Sequence, residues 1–191
     1  MMMTATILLV YAEENVKIPD IAVDIGKQST KRSVSFPLLE KKPGKIPVLK
    51  ARIFYDFPKG SGWGNGMLLF LNNKKLTAKT LDGKIRLLRR EALKATVEKQ
   101  PRKWYGNTGW LVMFGTGTGE IDKRIQNNRK EGFWYYFDIS DTVNYTGSQK
   151  AKENQLLVGC LLKLKSVNTP LTLKDIEILY LDEAEADQLR N

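Results

Sequence analysis

Stacking rings, cations and amides are concentrated in one segment, Pro101–Trp110, which reads Pro-Arg-Lys-Trp-Tyr-Gly-Asn-Thr-Gly-Trp. Guanidinium and ammonium groups bind anionic groups, and aromatic faces pack on the C–H surface of a sugar ring. This mixture is typical of a site for an anionic saccharide, although bases of single-stranded nucleic acid also stack on such rings. The candidate ligand-binding residues here are Arg102, Lys103, Trp104, Tyr105 and Asn107.

A second candidate is the glycine-rich loop Pro58–Gly66, in which Trp63 and Asn65 are flanked by glycines. Glycine permits backbone conformations that other residues resist, so an indole in this setting is not expected to be a core residue. We expect Trp63 to stack on a ligand and Asn65 to give a polar contact. The alternative is that Trp63 folds over one end of the domain as a lid.

The composition removes several classes of catalysis. The chain has no histidine, which excludes Ser-His-Asp and Cys-His catalysis and zinc bound through imidazole. Cys160 is the single cysteine, which excludes an internal disulfide. Each Asp/Glu pair, such as Asp138 with Asp141, is explained by a turn or by the solvent face of a strand. We therefore expect a protein that is not an enzyme.

The charge balance favours anionic partners. The chain carries 31 Lys and Arg against 21 Asp and Glu, a formal net charge of +10. A basic surface that only aids solubility is the alternative. The basic residues are spread along the chain rather than gathered in one arm, which makes nucleic acid a less favoured partner. No apolar run approaches the roughly 18 residues of a membrane span.

Short β-prone segments separated by turn signals are expected to position these groups. They predict an all-β fold, an antiparallel β-sandwich forming one domain over residues 1–191, with one short helical or irregular insertion at Ile85–Val97 and a polar acidic tail at Asp182–Asn191. The predicted strands are Ile7–Tyr11, Lys17–Ile25, Ser33–Leu39, Val48–Phe57, Met67–Leu71, Lys75–Ala78, Trp110–Phe114, Phe133–Phe137, Gln155–Leu164 and Leu171–Leu181.

The aromatic run Phe133–Phe137 and the residues after it form the most informative unit. Five consecutive aromatic residues are β-prone and too short for a buried helix. Asp138 and Ser140–Asp141 supply oxygens that can cap a turn at Thr142–Val143. Trp134 alternates with Tyr136, and we expect both to be packed on one face.

Four stretches of the chain resemble the galactose-binding-domain-like β-sandwich, a jelly roll found in many carbohydrate-binding modules. They are Val48–Phe57, Gly66–Lys74, Phe133–Val143 with Asn154–Val158, and Leu171–Leu181. The turn reads Asn72-Asn73-Lys74 where the family pattern has Asn-Gly-Lys, and the insertion Leu76–Gly109 is long.

The resemblance carries two expectations beyond the fold. Many members of the family hold a structural calcium, and its oxygens here would come from Asp24 with Asp175 or Glu177, although these can equally be surface carboxylates. The implied function is a non-catalytic carbohydrate-binding or accessory module, located outside the cell or at its surface. The aromatic and basic residues described above predict an acidic or otherwise polar polysaccharide as its ligand. The alternative is a structural subunit of an extracellular or viral assembly that uses the sandwich for packing against protein partners.

Overall fold

The computed structural model describes residues 15–24, 31–54, 65–76, 86–92, 111–113, 133–160 and 170–190. These ranges contain eleven strands and one helix. They are β1 (Val16–Ile18), β2 (Ile21–Asp24), β3 (Lys31–Phe36), β4 (Ile46–Phe54), β5 (Asn65–Leu71), β6 (Lys74–Lys75), β7 (Leu87–Ala92), β8 (Leu111–Met113), β9 (Phe133–Asp138), β10 (Asn154–Cys160), β11 (Pro170–Leu181) and α1 (Glu183–Arg190).

The strands form two antiparallel sheets, which confirms the predicted all-β class and the sandwich. The six-stranded sheet has the order β1-β11-β4-β9-β7, with β2 also paired to β11. The five-stranded sheet has the order β3-β10-β5-β6, with β8 paired to β5. One buried cluster contains apolar side chains of both sheets, so the inner faces pack against each other.

Side-chain alternation shows which face of each strand is buried. In β4, Leu49, Ala51 and Ile53 are fully buried, while Lys50 and Arg52 between them are partly exposed. In the other sheet the same period of two buries Leu69 and Leu71 of β5. Because successive side chains of a strand point to opposite faces, the apolar set of each sheet fixes which polar residues face outward.

The helix lies elsewhere than the sequence analysis predicts. Ile85–Val97 contains the strand β7, which pairs with β9 through a register shift between Leu87 and Arg89. Tertiary pairing along β9 therefore overrides the weak helical pattern of that segment.

The C-terminal tail predicted to be merely polar instead forms α1. Asp182 and Glu185 make a reciprocal capping box at its start, since each carboxylate accepts the other residue's backbone N–H at 2.8 Å. This Asp-x-x-Glu spacing is the signal that identifies the helix from sequence.

The predicted strand Lys17–Ile25 is divided into β1 and β2, both paired to β11. Pro19 and Asp20 separate the two, and a proline lacks the N–H that a continuous ladder needs. The predicted strand Ile7–Tyr11 lies outside the described residues. Each of the other predicted strands overlaps a strand within the described ranges.

The Asn72-Asn73 turn between β5 and β6 adopts the backbone that its sequence favours. Both residues have positive φ, 50° and 66°, which asparagine tolerates better than most residues and which a two-residue hairpin turn requires. The Asn72 side chain also bonds beyond the turn: its amide nitrogen donates to the Thr142 carbonyl at 2.8 Å, and its oxygen accepts the Gln155 N–H at 2.9 Å.

Asn154, at the start of β10, is fully buried and uses all of its hydrogen-bonding capacity. Its oxygen accepts from the Asn144 N–H and from the Asn72 side chain, both at 2.7 Å. Its amide nitrogen donates to the carbonyls of Pro37 (2.9 Å) and Asn144 (3.1 Å). The Asn154 side chain thus links the β5–β6 turn to the segments that contain Pro37 and Asn144.

Arg86 makes a second buried polar contact, beside the start of β7. Its side chain is 4 % exposed, and Nε and Nη2 donate to the two oxygens of Asp141 at 3.0 and 2.8 Å. Nη1 donates to the Lys75 carbonyl at 2.8 Å. The Asp138 N–H donates to the Arg86 carbonyl at 2.8 Å, so this arginine fixes the end of β9.

Replacing Asn154 by alanine is expected to destabilise the fold by about 3 kcal/mol, because buried partners in several segments lose their hydrogen bonds together. Urea unfolding of Asn154→Ala measures this. Gln155→Ala, an exposed neighbour on the same strand, is the matched control and is expected to change the free energy of unfolding by less than about 0.5 kcal/mol. Equal effects of the two variants would contradict the role of Asn154.

Candidate functional site

The outer face of the six-stranded sheet carries a patch of aromatic and charged side chains on β4 and β9. Lys50 and Arg52 are outward residues of β4, and Trp134 and Tyr136 are outward residues of β9. The register places Arg52 opposite Trp134 and Lys50 opposite Tyr136. Directly paired residues of an antiparallel sheet project to the same side, so the four side chains share one face.

Trp134 contacts the two cations of β4. Lys50 Nζ lies 4.4 Å from the centre of the Trp134 ring, and the guanidinium carbon of Arg52 lies 5.9 Å from it. Both distances are within the range of cation–π attraction. The indole is half-buried, so part of its surface remains in contact with solvent.

Two carboxylates of β11 complete this group. Glu177 Oε1 lies 2.6 Å from Lys50 Nζ, and Asp175 Oδ2 lies 2.6 Å from Arg52 Nε. Trp134, Lys50, Arg52, Asp175 and Glu177 are called the Trp134 patch below. The Trp134 patch thus combines an aromatic ring with two positive and two negative charges. It lies on the outer face of a sheet whose inner face is packed in the core.

Helix α1 bounds one end of this face. It follows β11 and also contacts β7, on the far side of β4 and β9, so it crosses the outer face. Arg89 Nη1 of β7 donates to the Gln188 carbonyl at 3.3 Å, and Arg190 Nη2 of α1 lies 3.9 Å from Asp138 Oδ2. Val48, an outward residue of β4 at this end, is fully buried. The Trp134 patch lies beyond the covered end.

The alternation of Trp134 and Tyr136 is as predicted, but their packing is not. Tyr135 and Phe137 are the residues of β9 in the core, with rings stacked at 6.2 Å and 1 % or less exposed. Trp134 and Tyr136 therefore share the outer face. The sequence does not show which alternate residues of Phe133–Phe137 face the core, because either set would bury large aromatic rings.

Most of the predicted ligand-binding residues lie outside the described residues: Trp63, Arg102, Lys103, Trp104, Tyr105 and Asn107. Asn65 is the first residue of β5 and pairs in register with Met113, whereas Leu111 pairs with Met67. The predicted loop site stays a prediction.

The backbone positions of the residues predicted to hold calcium are separated along β11. Asp24 is opposite Pro170, and Asp175 is five residues further along β11, a distance of about 16 Å for extended chain. Asp175 and Glu177 contact cations of β4. In the described ranges, no group of three or more Asp, Glu, Cys or His is placed to hold a metal ion. The calcium site stays a prediction.

Asp138, Ser140 and Tyr145 form the other polar cluster near the end of β9. Asp138 Oδ1 accepts the Ser140 N–H at 3.0 Å and its hydroxyl at 2.6 Å, which is the predicted turn cap. Burial, and after it the nearby charge of Asp138, raise the pKa of Tyr145 above that of an ordinary tyrosine. Tyr145 is therefore a neutral phenol near pH 7, and this cluster stabilises a turn rather than supplying a base.

Comparison of the chain with protein-family models, curated proteins and solved structures found no match. Among the described residues, the helix is too short and too polar to cross a lipid bilayer.

Replacing Lys50 by methionine is expected to cost about 1 kcal/mol of stability, because the change removes both the ion pair with Glu177 and the cation over Trp134. Lys75, whose Nζ lies 5.7 Å from the Phe70 ring centre on the other sheet, offers a matched cation–aromatic control. Lys75→Met is expected to cost less than half as much in chemical unfolding. A larger loss in Lys75→Met would contradict the structural role of the Lys50 contacts.

Proposed function

We propose that this protein is a non-catalytic polysaccharide-binding or accessory module that acts outside the cell or at its surface. The polysaccharide binds across the outer face of the six-stranded sheet, with one sugar ring stacked on Trp134. Trp63, Trp104 and Tyr105, which the sequence predicts to bind ligand, add further contacts to the chain of sugars. The aromatic and basic composition of the sequence and the outward ring and cations of the Trp134 patch support this proposal.

One observation carries the proposal: a tryptophan of β9 projects outward beside two cations of β4 instead of packing in the core. Tryptophan side chains usually bury a large apolar area. A tryptophan on the outer face of a sheet, in contact with polar residues, is therefore a candidate ligand-binding residue. Lys50 lies over the ring and is itself paired with Glu177. A binding site whose side chains are already placed by such contacts loses less conformational entropy when a ligand binds.

The chemistry of the patch suits sugars better than catalysis. Sugar rings present C–H faces that stack on an indole and hydroxyls that bond to Lys, Arg and carboxylate groups. The carboxylates of the patch, Asp175 and Glu177, each lie 2.6 Å from a cation of β4, so both are engaged in ion pairs. The histidine-free composition points the same way.

Trp134→Ala is expected to abolish retention of the protein in native gels that contain a bound polysaccharide, because the stacking surface is lost. A panel of neutral, carboxylated and sulfated polysaccharides identifies the ligand first. Phe70→Ala is the matched control, since Phe70 is a half-buried outward ring on the opposite sheet, beside Lys75. We expect Phe70→Ala to be retained like the unaltered protein. Equal retention of Trp134→Ala would contradict the proposed site.

The loop residues require a separate experiment. Alanine at Trp104 and Tyr105 together is expected to weaken retention on the same gels while leaving the thermal midpoint unchanged, because ligand-facing rings contribute little to the core. Thermal unfolding monitored by circular dichroism serves as the control for folding. Unchanged retention would remove the loop from the site and leave the sheet face alone.

A further inference from the structure

We infer that the ligand of the Trp134 patch is an acidic polysaccharide, and that its anionic group binds Arg52 by displacing the Asp175 carboxylate. This inference rests on the proposed function. It adds the chemical class of the ligand and the residue that binds the ligand's anionic group. The internal carboxylate thus acts as a competitor that holds the site until an acidic sugar takes its place.

The two ion pairs of the patch differ in exposure. The side chains of Lys50 and Glu177 are 22 % and 21 % exposed, so this pair is mostly covered on both sides. In the second pair Arg52 is 27 % exposed, but Asp175 is 53 % exposed. Water and dissolved ions therefore reach the acidic partner of Arg52 far more easily than that of Lys50.

The local backbone sets the position of Asp175. The residue lies in the register irregularity between Lys174 and Glu177 and has a φ of 50°. Its N–H donates to Asp20 Oδ1 at 3.1 Å, so the main chain is anchored independently of the carboxylate. Displacing the Asp175 side chain from Arg52 consequently leaves the strand irregularity in place.

Asp175 Oδ2 lies 2.6 Å from Arg52 Nε, which is an ion-pair distance. This nitrogen is buried and does not make an aligned hydrogen bond with that oxygen. Exposed ion pairs are weak because solvent screens them. A planar guanidinium binds an external carboxylate or sulfate through parallel hydrogen bonds, which is a stronger arrangement.

Trp134 makes the exchange favourable for a sugar rather than for a simple anion. The register places it opposite Arg52, so one ligand residue can stack on the indole while its acidic group reaches the guanidinium. A free anion gains only the ionic contact. The stacking energy is therefore available only to an anion that is carried on a ring.

The charge around the patch is complementary to an acidic chain. The strand register defines two rows of residues across the outer face: Lys17, Glu177, Lys50, Tyr136 and Arg89, and then Lys174, Arg52 and Trp134. With Asp175 included, these positions hold five cations and two carboxylates. Such a balance attracts a polyanion and weakens with added salt.

Asp175→Asn tests the inference, because asparagine accepts positive φ while removing the competing charge. Isothermal titration uses three oligosaccharide probes of related sugars: neutral galactan, oligogalacturonate and sulfated galactan. We expect Asp175→Asn to bind an acidic probe about two- to fivefold more tightly, the range that an exposed ion pair allows, with unchanged affinity for the neutral one. Tighter binding of the carboxylated probe or of the sulfated probe by Asp175→Asn identifies which acidic group binds Arg52.

Arg52→Gln is the opposing variant and is expected to weaken binding of that acidic probe at least about tenfold, while Arg52→Lys, which keeps the charge but not the fork, falls between. Thermal unfolding of each variant controls for folding. Unchanged or weaker acidic binding by Asp175→Asn would overturn the inference. If Trp134→Ala still removes neutral binding, the proposed function survives that result; if no probe binds the unaltered protein, both fail.

Discussion

The register between β4 and β9 is the constraint on which the candidate site depends. A slip of one residue would turn Tyr135 and Phe137 outward and bury Trp134, because side chains alternate between the two faces of a strand. Backbone hydrogen bonds at the end of β9 prevent that slip: the Asp138 N–H donates to the Arg86 carbonyl and the Ile139 N–H to the Pro47 carbonyl. The outward position of the half-buried Trp134 indole thus follows from the register that buries Tyr135 and Phe137.

Two buried polar side chains support this register from outside the sheet ladders. Asn154 joins the β5–β6 turn to the segments around residues 37 and 144, and Arg86 joins the start of β7 to Asp141. Each satisfies its partners fully or nearly so, which is the condition under which a buried polar network specifies one arrangement rather than weakening the core. The loops and the sheet face are therefore held by directional contacts as well as by apolar packing.

The sequence predicted the all-β class and most of the described strands, because period-two alternation and the Asn72-Asn73 and Asp138–Ser140 turn signals are local. It did not predict β7, since Leu87–Ala92 becomes a strand only by pairing with β9, which is distant in sequence. It did not distinguish Trp134 from Tyr135 as the outward ring, because five consecutive aromatic residues carry no polar marker of phase. The ion pairs of Lys50 and Arg52 with β11 likewise depend on long-range register.

The most direct test of the account is the response of individual indoles to an acidic oligosaccharide. The chain has four tryptophans, whose indole N–H signals in a ¹⁵N correlation spectrum can be assigned by replacing each with phenylalanine. During titration with the acidic probe that binds, the account predicts saturable shifts of the Trp134 signal together with the Arg52 Nε–H signal. Saturable binding that shifts other indoles and leaves the Trp134 and Arg52 signals in place would contradict it.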